Sequence, residues 1–326
     1  MTATRIPVVL AIDAEPDDAE IERHTSEPWW GFERCVEIVD RLRPRLAQAT
    51  GAPVHVTWAL RMDEQIELAY GSIAWVTEHY AALLDRLRAT GDALGIHPHA
   101  WRWNQQRGRW FQDHGDADWV ELSIRRANDA FQATLGPCDI HRYGSHYFDR
   151  RCADVLRQLG IAHDLSPEPG AQAARSLGPE ETTGLIPDQQ HAETAIYHPD
   201  PVDPFQALPD APLDDLWVIP HTAFDPARMM APWRRVARRV RYPGRSPKRP
   251  IHLYSGLPSD RFWTAVGEHA RSMERPFLSF SLRSDAPLRS YWPAIEAKLD
   301  ALLQHPLLPE LVFATPAETI ELTHGG

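Results

Sequence analysis

Residues 93–99 read Ala93-Leu94-Gly95-Ile96-His97-Pro98-His99, an apolar run that leads directly into two histidines. The apolar run predicts a buried strand. Side chains two residues apart on a strand point to the same face, so His97 and His99 are placed to share one metal ion. A lone histidine is more often a buried ring with a structural hydrogen bond, but the pair beside Trp101 favours the metal site.

A second apolar run, residues 7–12, is followed by the acidic residues Asp13, Glu15 and Asp17. A carboxylate at the end of a hydrophobic strand is partly desolvated, which suits Asp13 to the role of general base. Either Glu15 or Asp17 would complete a metal site with the two histidines, because two nitrogens, one carboxylate and an open position suit zinc or a similar divalent ion. The alternative is an acidic loop that only caps the next helix.

Strand-like apolar runs alternate with longer amphipathic segments along the chain. This alternation predicts parallel strands with helices outside, and about eight strands fit a (β/α) barrel better than an open sheet. The predicted strands are Val8–Ile12, Val54–Ala59, Ala93–His97, Asp139–Arg142, Ala162–Asp164, Leu216–Ile219, Phe277–Ser281 and Leu311–Ala314. The predicted helices are Gly31–Gln48, Ala74–Thr90, Ala117–Leu135, Arg150–Leu159, Pro226–Val240, Asp260–Ser272 and Trp292–Gln304.

One segment breaks the alternation. Residues 165–215 contain nine prolines and almost no hydrophobic periodicity. A loop of this length within a compact domain is usually functional or disordered. The sequence therefore predicts one domain over residues 1–326, with this loop either over the barrel mouth as part of a substrate cleft or on the surface without a role.

Composition narrows the class of protein. A net charge of −11 argues against general binding to nucleic acid or anionic membranes. The three cysteines have no ligand-like spacing, and no apolar stretch approaches the length of a membrane span. The first strand begins within about ten residues, which leaves no room for a signal peptide. We expect a cytoplasmic enzyme that acts on a small molecule or oligosaccharide, and the sequence does not predict its oligomeric state.

Polar residues follow several of the predicted strands. Active sites of (β/α) barrels lie at the C-terminal ends of the strands, so these residues are expected to converge. Arg142 is predicted to orient Asp13 through a charge-assisted hydrogen bond, or to form a purely structural salt bridge with it. Trp101 and Trp103 would offer flat faces for a sugar ring, although tryptophan is more often a core residue. The residues at or just past strand ends are Asp13, His97, Arg142, Asp164, His221 and Arg283.

Several of these motifs, in this order, resemble the polysaccharide deacetylase family (carbohydrate esterase family 4). The resemblance implies a distorted (β/α) barrel of seven or eight strands and metal-dependent removal of an N- or O-acetyl group from a sugar. Asp13 would take a proton from a metal-bound water, and Tyr143, Asp164 and Arg283 would line the substrate cleft. The motifs are Leu10-Ala11-Ile12-Asp13, Val56-Thr57-Trp58-Ala59-Leu60, Gly95-Ile96-His97-Pro98-His99, His141-Arg142-Tyr143-Gly144, Leu159–Ser166 and Leu216–Pro220.

The sequence also departs from the family pattern. Ala14 stands where the family has a second, metal-binding aspartate, and the two histidines are two residues apart instead of four. The late motif that normally supplies an acid histidine has none, so His221 or His146 would protonate the leaving group. These departures leave two alternatives open: a metal-free C–N hydrolase on the same barrel, and a non-catalytic carbohydrate-binding protein with a degenerate site.

Overall fold

The computed structural model describes residues 5–18, 28–175, 181–225, 248–255, 257–285 and 292–325. Its strands are β1 (Ile6–Ala14), β2 (Thr57–Arg61), β3 (Ala93–His97), β4 (Trp101–Asn104), β5 (Arg109–Asp113), β6 (Ile140–His141), β7 (His163–Asp164), β8 (Thr182–Thr183), β9 (Trp217–Val218), β10 (Ala223–Phe224), β11 (Arg249–Pro250), β12 (Leu278–Arg283) and β13 (Leu311–Phe313). Its helices are α1 (Trp30–Thr50), α2 (Glu64–Tyr70), α3 (Trp75–His79), α4 (Ala81–Ala89), α5 (Ala117–Leu135), α6 (Arg150–Leu159), α7 (Ser259–Arg271), α8 (Trp292–Leu302) and α9 (Pro316–His324). None of these helices has the length and apolar character needed to cross a membrane.

The main sheet is parallel. Its strands run in the order β12-β1-β2-β3-β6-β7-β9, and β13 pairs with the first residues of β1. The two ends of this order are joined beyond β9 by Thr222, whose N–H donates to Ser279 O (2.9 Å) and whose hydroxyl accepts from Ser279 N–H (2.8 Å). The sheet therefore curls into a distorted (β/α) barrel, which confirms the predicted fold class.

The core shows why the strands could be recognised from their apolar runs. β1 is buried along nearly its whole length, as expected for a parallel strand covered by helices. Phe32 of α1 packs edge-on against Trp58 of β2, with ring centroids 5.6 Å apart. At the N-terminal ends of the strands, the buried Asp92 carboxylate accepts hydrogen bonds from Val56 N–H (3.0 Å), Trp58 Nε1 (2.9 Å) and Arg43 Nη2 (2.7 Å).

Element boundaries agree with the predictions in part. Helices α5 and α6 have the predicted bounds, whereas the helix predicted over residues 74–90 is divided at Tyr80, which leaves helical geometry at φ −102°, ψ 21°. The Tyr80 ring packs edge-on against Phe32, at 5.1 Å, and this packing accompanies the break. The antiparallel hairpin of β4 and β5 was not predicted. The helix predicted over Pro226–Val240 lies outside the described residues.

Candidate functional site

The candidate site lies at the carboxyl ends of β1, β3 and β12. In the sheet register Asp13 of β1 lies opposite Arg283 of β12, and Arg61 of β2 lies opposite His97 of β3. The segment after β6 joins them, because Arg142 N–H donates to Ile96 O at 3.0 Å. Strand-end residues that are far apart in the sequence therefore meet at one edge of the sheet.

Asp13 and Arg142 form a buried ion pair. Arg142 Nε donates to Asp13 Oδ1 at 2.6 Å, and both side chains are at most 6% exposed. The guanidinium also donates from Nη1 to Leu165 O (2.6 Å) and from Nη2 to His146 Nδ1 (3.1 Å). Burial by itself would lower the pKa of Arg142, but the Asp13 carboxylate raises it, so the guanidinium stays charged. The predicted contact between the two residues is present.

Glu15, His97 and His99 bring one ligand atom each within 4.8 Å of one another. His97 Nδ1 lies 2.6 Å from Arg142 O, and a carbonyl can only accept, so Nδ1 carries the proton and the lone pair of the neutral ring is on Nε2. His99 Nε2 lies 3.1 Å from His97 Nε2 and 3.7 Å from Glu15 Oε2. Burial lowers the pKa of both rings, which favours their neutral form. These donors fit a divalent cation.

Two arginines limit how Glu15 can bind a cation. Arg283 Nε lies 2.8 Å from Glu15 Oε1, whereas Arg61 Nη1 lies 3.7 Å from Oε2. Ser284 holds the backbone of Glu15, because its hydroxyl accepts from Glu15 N–H (2.9 Å) and donates to Glu15 O (2.7 Å). Glu15 therefore has one oxygen, Oε2, facing the histidines.

Asp17 lies outside this group of ligands. Its carboxylate accepts hydrogen bonds from the first backbone N–H groups of α1, Gly31 (2.8 Å) and Trp30 (3.2 Å). Both sequence interpretations of the acidic segment are therefore present at once. Glu15 faces the histidines, and Asp17 caps the following helix.

The predicted substrate-binding residues differ in exposure. Trp101 and Tyr143 are buried, and the Tyr143 hydroxyl is hydrogen-bonded to Ser123 Oγ at 2.8 Å. Asp164 is fully buried and accepts hydrogen bonds from His141 Nδ1 (2.5 Å) and from the N–H (3.0 Å) and hydroxyl (2.9 Å) of Ser166. These three side chains make contacts inside the protein.

Two other predicted substrate residues retain exposed surface. The Arg283 side chain is 45% exposed. Trp103 is half-buried and packs edge-on against Trp110 at 5.1 Å. Arg283 lies opposite Asp13 in the sheet register, whereas Trp103 belongs to the separate hairpin of β4 and β5.

A second group of side chains that could bind a metal ion contains one residue that was predicted from the sequence and two that were not. Glu168, His221 and His252 bring one ligand atom each within 4.8 Å. Burial raises the pKa of Glu168 to about 7, although Arg142 acts to lower it. Glu168 follows β7 by four residues, so the strand-end rule could have found it. His252 follows the two-residue strand β11, which has no recognisable apolar run.

The turn between Arg142 and this second group is strained. Ser145 and His146 have φ of 56° and 55°, a region that non-glycine residues rarely adopt. Gly144, which precedes them, lies so close to His99 that a Cβ atom there would be 2.3 Å from the ring Nδ1. Strained backbone of this kind clusters at functional sites.

No family model matches this sequence, and no curated protein matches it. The structure is similar to a candidate glycoside hydrolase/deacetylase from Parabacteroides distasonis, with a TM-score of 0.55 at 12% identity, covering 98% of this chain and 72% of that one. It is also similar to a candidate polysaccharide deacetylase from Pseudomonas aeruginosa PAO1, with a TM-score of 0.50 at 11% identity, covering 99% and 92% of the two chains. At the level of the fold, these similarities confirm the resemblance to polysaccharide deacetylases.

Proposed function

We propose that this protein is a metal-dependent hydrolase that removes an acetyl group from the nitrogen or oxygen of a sugar or glycoconjugate precursor. The observation that carries the proposal is the position of the Asp13–Arg142 pair beside the ligand group, with His97 Nδ1 3.9 Å from Asp13 Oδ1. Hydrolysis of an acyl bond uses a general base next to a cation in this way. The deacetylase descriptions of the two similar structures support the same reaction class.

The ligand set proposed for the cation is Glu15 Oε2 with the Nε2 atoms of His97 and His99. Two imidazoles and one carboxylate suit zinc, and a bound cation would polarise the acyl carbonyl and lower the pKa of a water molecule. Asp13 Oδ1 is held by Arg142 Nε, so Oδ2 is the atom that accepts the proton of the attacking water. The hydrogen bond from Arg142 Nε also orients the Asp13 carboxylate for that transfer.

The leaving nitrogen or oxygen needs a proton, and the sequence predicts His221 as its donor. His221 Nε2 donates to Ile251 O at 3.1 Å, so Nδ1 is the atom that would carry the proton, and Glu168 lies close enough to stabilise a protonated ring. This role requires Nδ1 to hold no metal ion, and burial, which lowers the pKa of His221 well below its usual value, favours the neutral ring instead. In this proposal Arg283 and Trp103 contact the sugar, whereas Asp164 acts indirectly by holding Ser166.

The decisive experiment measures acetate release from a panel of N-acetylated and O-acetylated sugars, together with metal content. Asp13→Asn is expected to lower kcat/KM by about 10²–10⁴-fold, the usual contribution of a general base, and to retain the metal. His97→Ala is expected to lose both metal and activity. Asp129→Asn and His191→Asn serve as controls, because both residues are exposed and lie outside the two ligand groups.

Other outcomes would select the rival functions. Activity that resists chelators but is abolished by Asp13→Asn would identify a metal-free hydrolase on the same barrel. Glycan binding without acetate release from any substrate would identify a non-catalytic carbohydrate-binding protein. Full metal content in a folded His97→Ala variant would remove His97 from the ligand set.

A further inference from the structure

The group of Glu168, His221 and His252 is built from three separate segments of the chain. Glu168 follows β7, His221 follows β9 and His252 follows β11. Glu168 is 5% exposed and His221 is 2% exposed, whereas His252 is half-buried and stacks on Tyr254 at 4.7 Å. Their ligand atoms lie within 4.8 Å of one another although the three residues are 31 to 84 positions apart in the chain.

The hydrogen bonds of His221 leave one ring nitrogen free for a ligand. Because Nε2 donates to the carbonyl of Ile251 at 3.1 Å, the neutral ring has its lone pair on Nδ1. His97 has the mirror arrangement, with Nδ1 held by the carbonyl of Arg142 and the lone pair on Nε2. A backbone carbonyl on the second ring nitrogen is the usual way in which proteins orient a metal-binding histidine.

Glu168 provides an independent observation that points to a ligand. Its Oε1 is buried and has no hydrogen-bond partner within the described residues. The nearest donor, His146 Nε2, lies at 3.2 Å without the alignment of a hydrogen bond, and His146 Nδ1 is already engaged by Arg142 Nη2. A buried carboxylate oxygen without a partner is costly, and a bound cation would satisfy it.

We propose that Glu168, His221 and His252 bind a second divalent transition-metal ion of the zinc class, through one carboxylate oxygen and two imidazole nitrogens. This donor set suits zinc and leaves a position open. Arg142 lies between the two groups, since Nε contacts Asp13 beside the first and Nη2 contacts His146 beside Glu168. The second cation would stabilise negative charge on the leaving atom. This catalytic role rests on the proposed function, whereas the binding of the second cation does not.

The test counts metal ions on the full chain after chelation, reloading with Zn²⁺ and desalting. Wild-type protein and the control His191→Asn are expected to bind two ions per chain. Glu168→Gln, which keeps the shape of the side chain, and His252→Asn are each expected to bind one. His97→Ala is also expected to bind one, and the His97→Ala/His252→Asn double variant none. Comparison of the single variants with the double variant shows which group holds each ion.

If the wild-type chain bound only one ion, and both Glu168→Gln and His252→Asn retained that ion, the second site would be refuted. If His97→Ala removed that single ion and the activity with it, the proposed function would stand with one cation. The proton-donor role and the ligand role of His221 exclude each other, because both use Nδ1. His221→Asn is expected to reduce the count from two to one, whereas a count that stays at two would remove His221 from the ligand set and refute the proposed three-residue site.

Discussion

Replacing Gly144 with alanine tests the first ligand group without changing any ligand. A Cβ atom at Gly144 would lie 2.3 Å from His99 Nδ1, whereas ordinary contacts begin at 3.4 Å, so the ring must move by 1.1 Å. The backbone cannot retreat freely, because Gly144 N–H donates to Pro98 O at 2.9 Å. Bond lengths to zinc tolerate only about 0.2 Å of error. His99 is therefore expected to leave the ligand set.

The expected losses follow from this displacement. A misplacement of about 1 Å costs about 100-fold in rate, and overpacking a core contact costs about 1–3 kcal/mol in the free energy of unfolding. Acetate release and metal content per chain measure the first effect, and urea unfolding of the chelated protein measures the second. Metal content should fall by the ion bound at Glu15 and His97, while an ion bound at Glu168 should remain.

A matched control separates displacement of His99 from general destabilisation. Gly108, in the turn between β4 and β5, has φ +61°, and a Cβ atom there would meet nothing within 4 Å. Gly108→Ala should cost about 1–2 kcal/mol through its backbone conformation and leave metal content and activity unchanged. If Gly144→Ala kept full metal content and full activity, the close approach to His99 would have no functional role and the reasoning would be refuted.

Three further predictions concern charge and stability. Burial lowers the pKa of His114 to about 4. Between about pH 4 and 6.5 the unfolded chain therefore binds more protons at this residue than the native chain does. As the pH falls through this range, His114 lowers the free energy of unfolding by up to about 1.4 kcal/mol per pH unit. His114→Phe, whose ring would keep the stacking on Tyr147, should reduce the pH slope measured by urea unfolding with chelator by the contribution of this one histidine. Arg142→Lys keeps the charge but loses the forked contacts, and should cost about 3 kcal/mol in the free energy of unfolding and about 100-fold in acetate release, because Asp13 is no longer oriented. Asp92→Asn breaks a buried ion pair far from the site, and should cost about 3 kcal/mol with metal content and kcat/KM unchanged.

The fold and the first ligand group could be predicted because parallel strands obey simple rules. Buried runs such as residues 7–12 and 93–96 mark strands, and the carboxyl ends of parallel strands meet at one edge. That rule correctly placed Asp13, His97 and Arg142 together, as their contacts show. It needs no knowledge of loops, since the sheet itself brings these residues together.

The direction in which each side chain points could not be predicted. Tyr143 follows β6 by two residues and Asp164 is the last residue of β7. Both strands are only two residues long, so too few residues alternate there for a pattern to show which side is buried. Both side chains are buried within the protein. Glu168 and His252 lie in irregular segments without periodicity, so only their contacts reveal that they share a group with His221.

In the proposed site, the departures from the deacetylase motifs would compensate for one another. With Ala14 in place of an acidic residue, the carboxylate ligand would be Glu15, which has the same spacing from Asp13 as side chains on one face of an extended chain. The histidines have the same spacing, and the rings of His97 and His99 meet at 4.7 Å between centroids. β2 lies between β1 and β3, so Glu15 and the two histidines meet across β2 at the carboxyl edge of the sheet. An equal spacing of two in both segments is what we expect of a ligand group that is retained in altered form, and the metal content of His97→Ala tests this expectation.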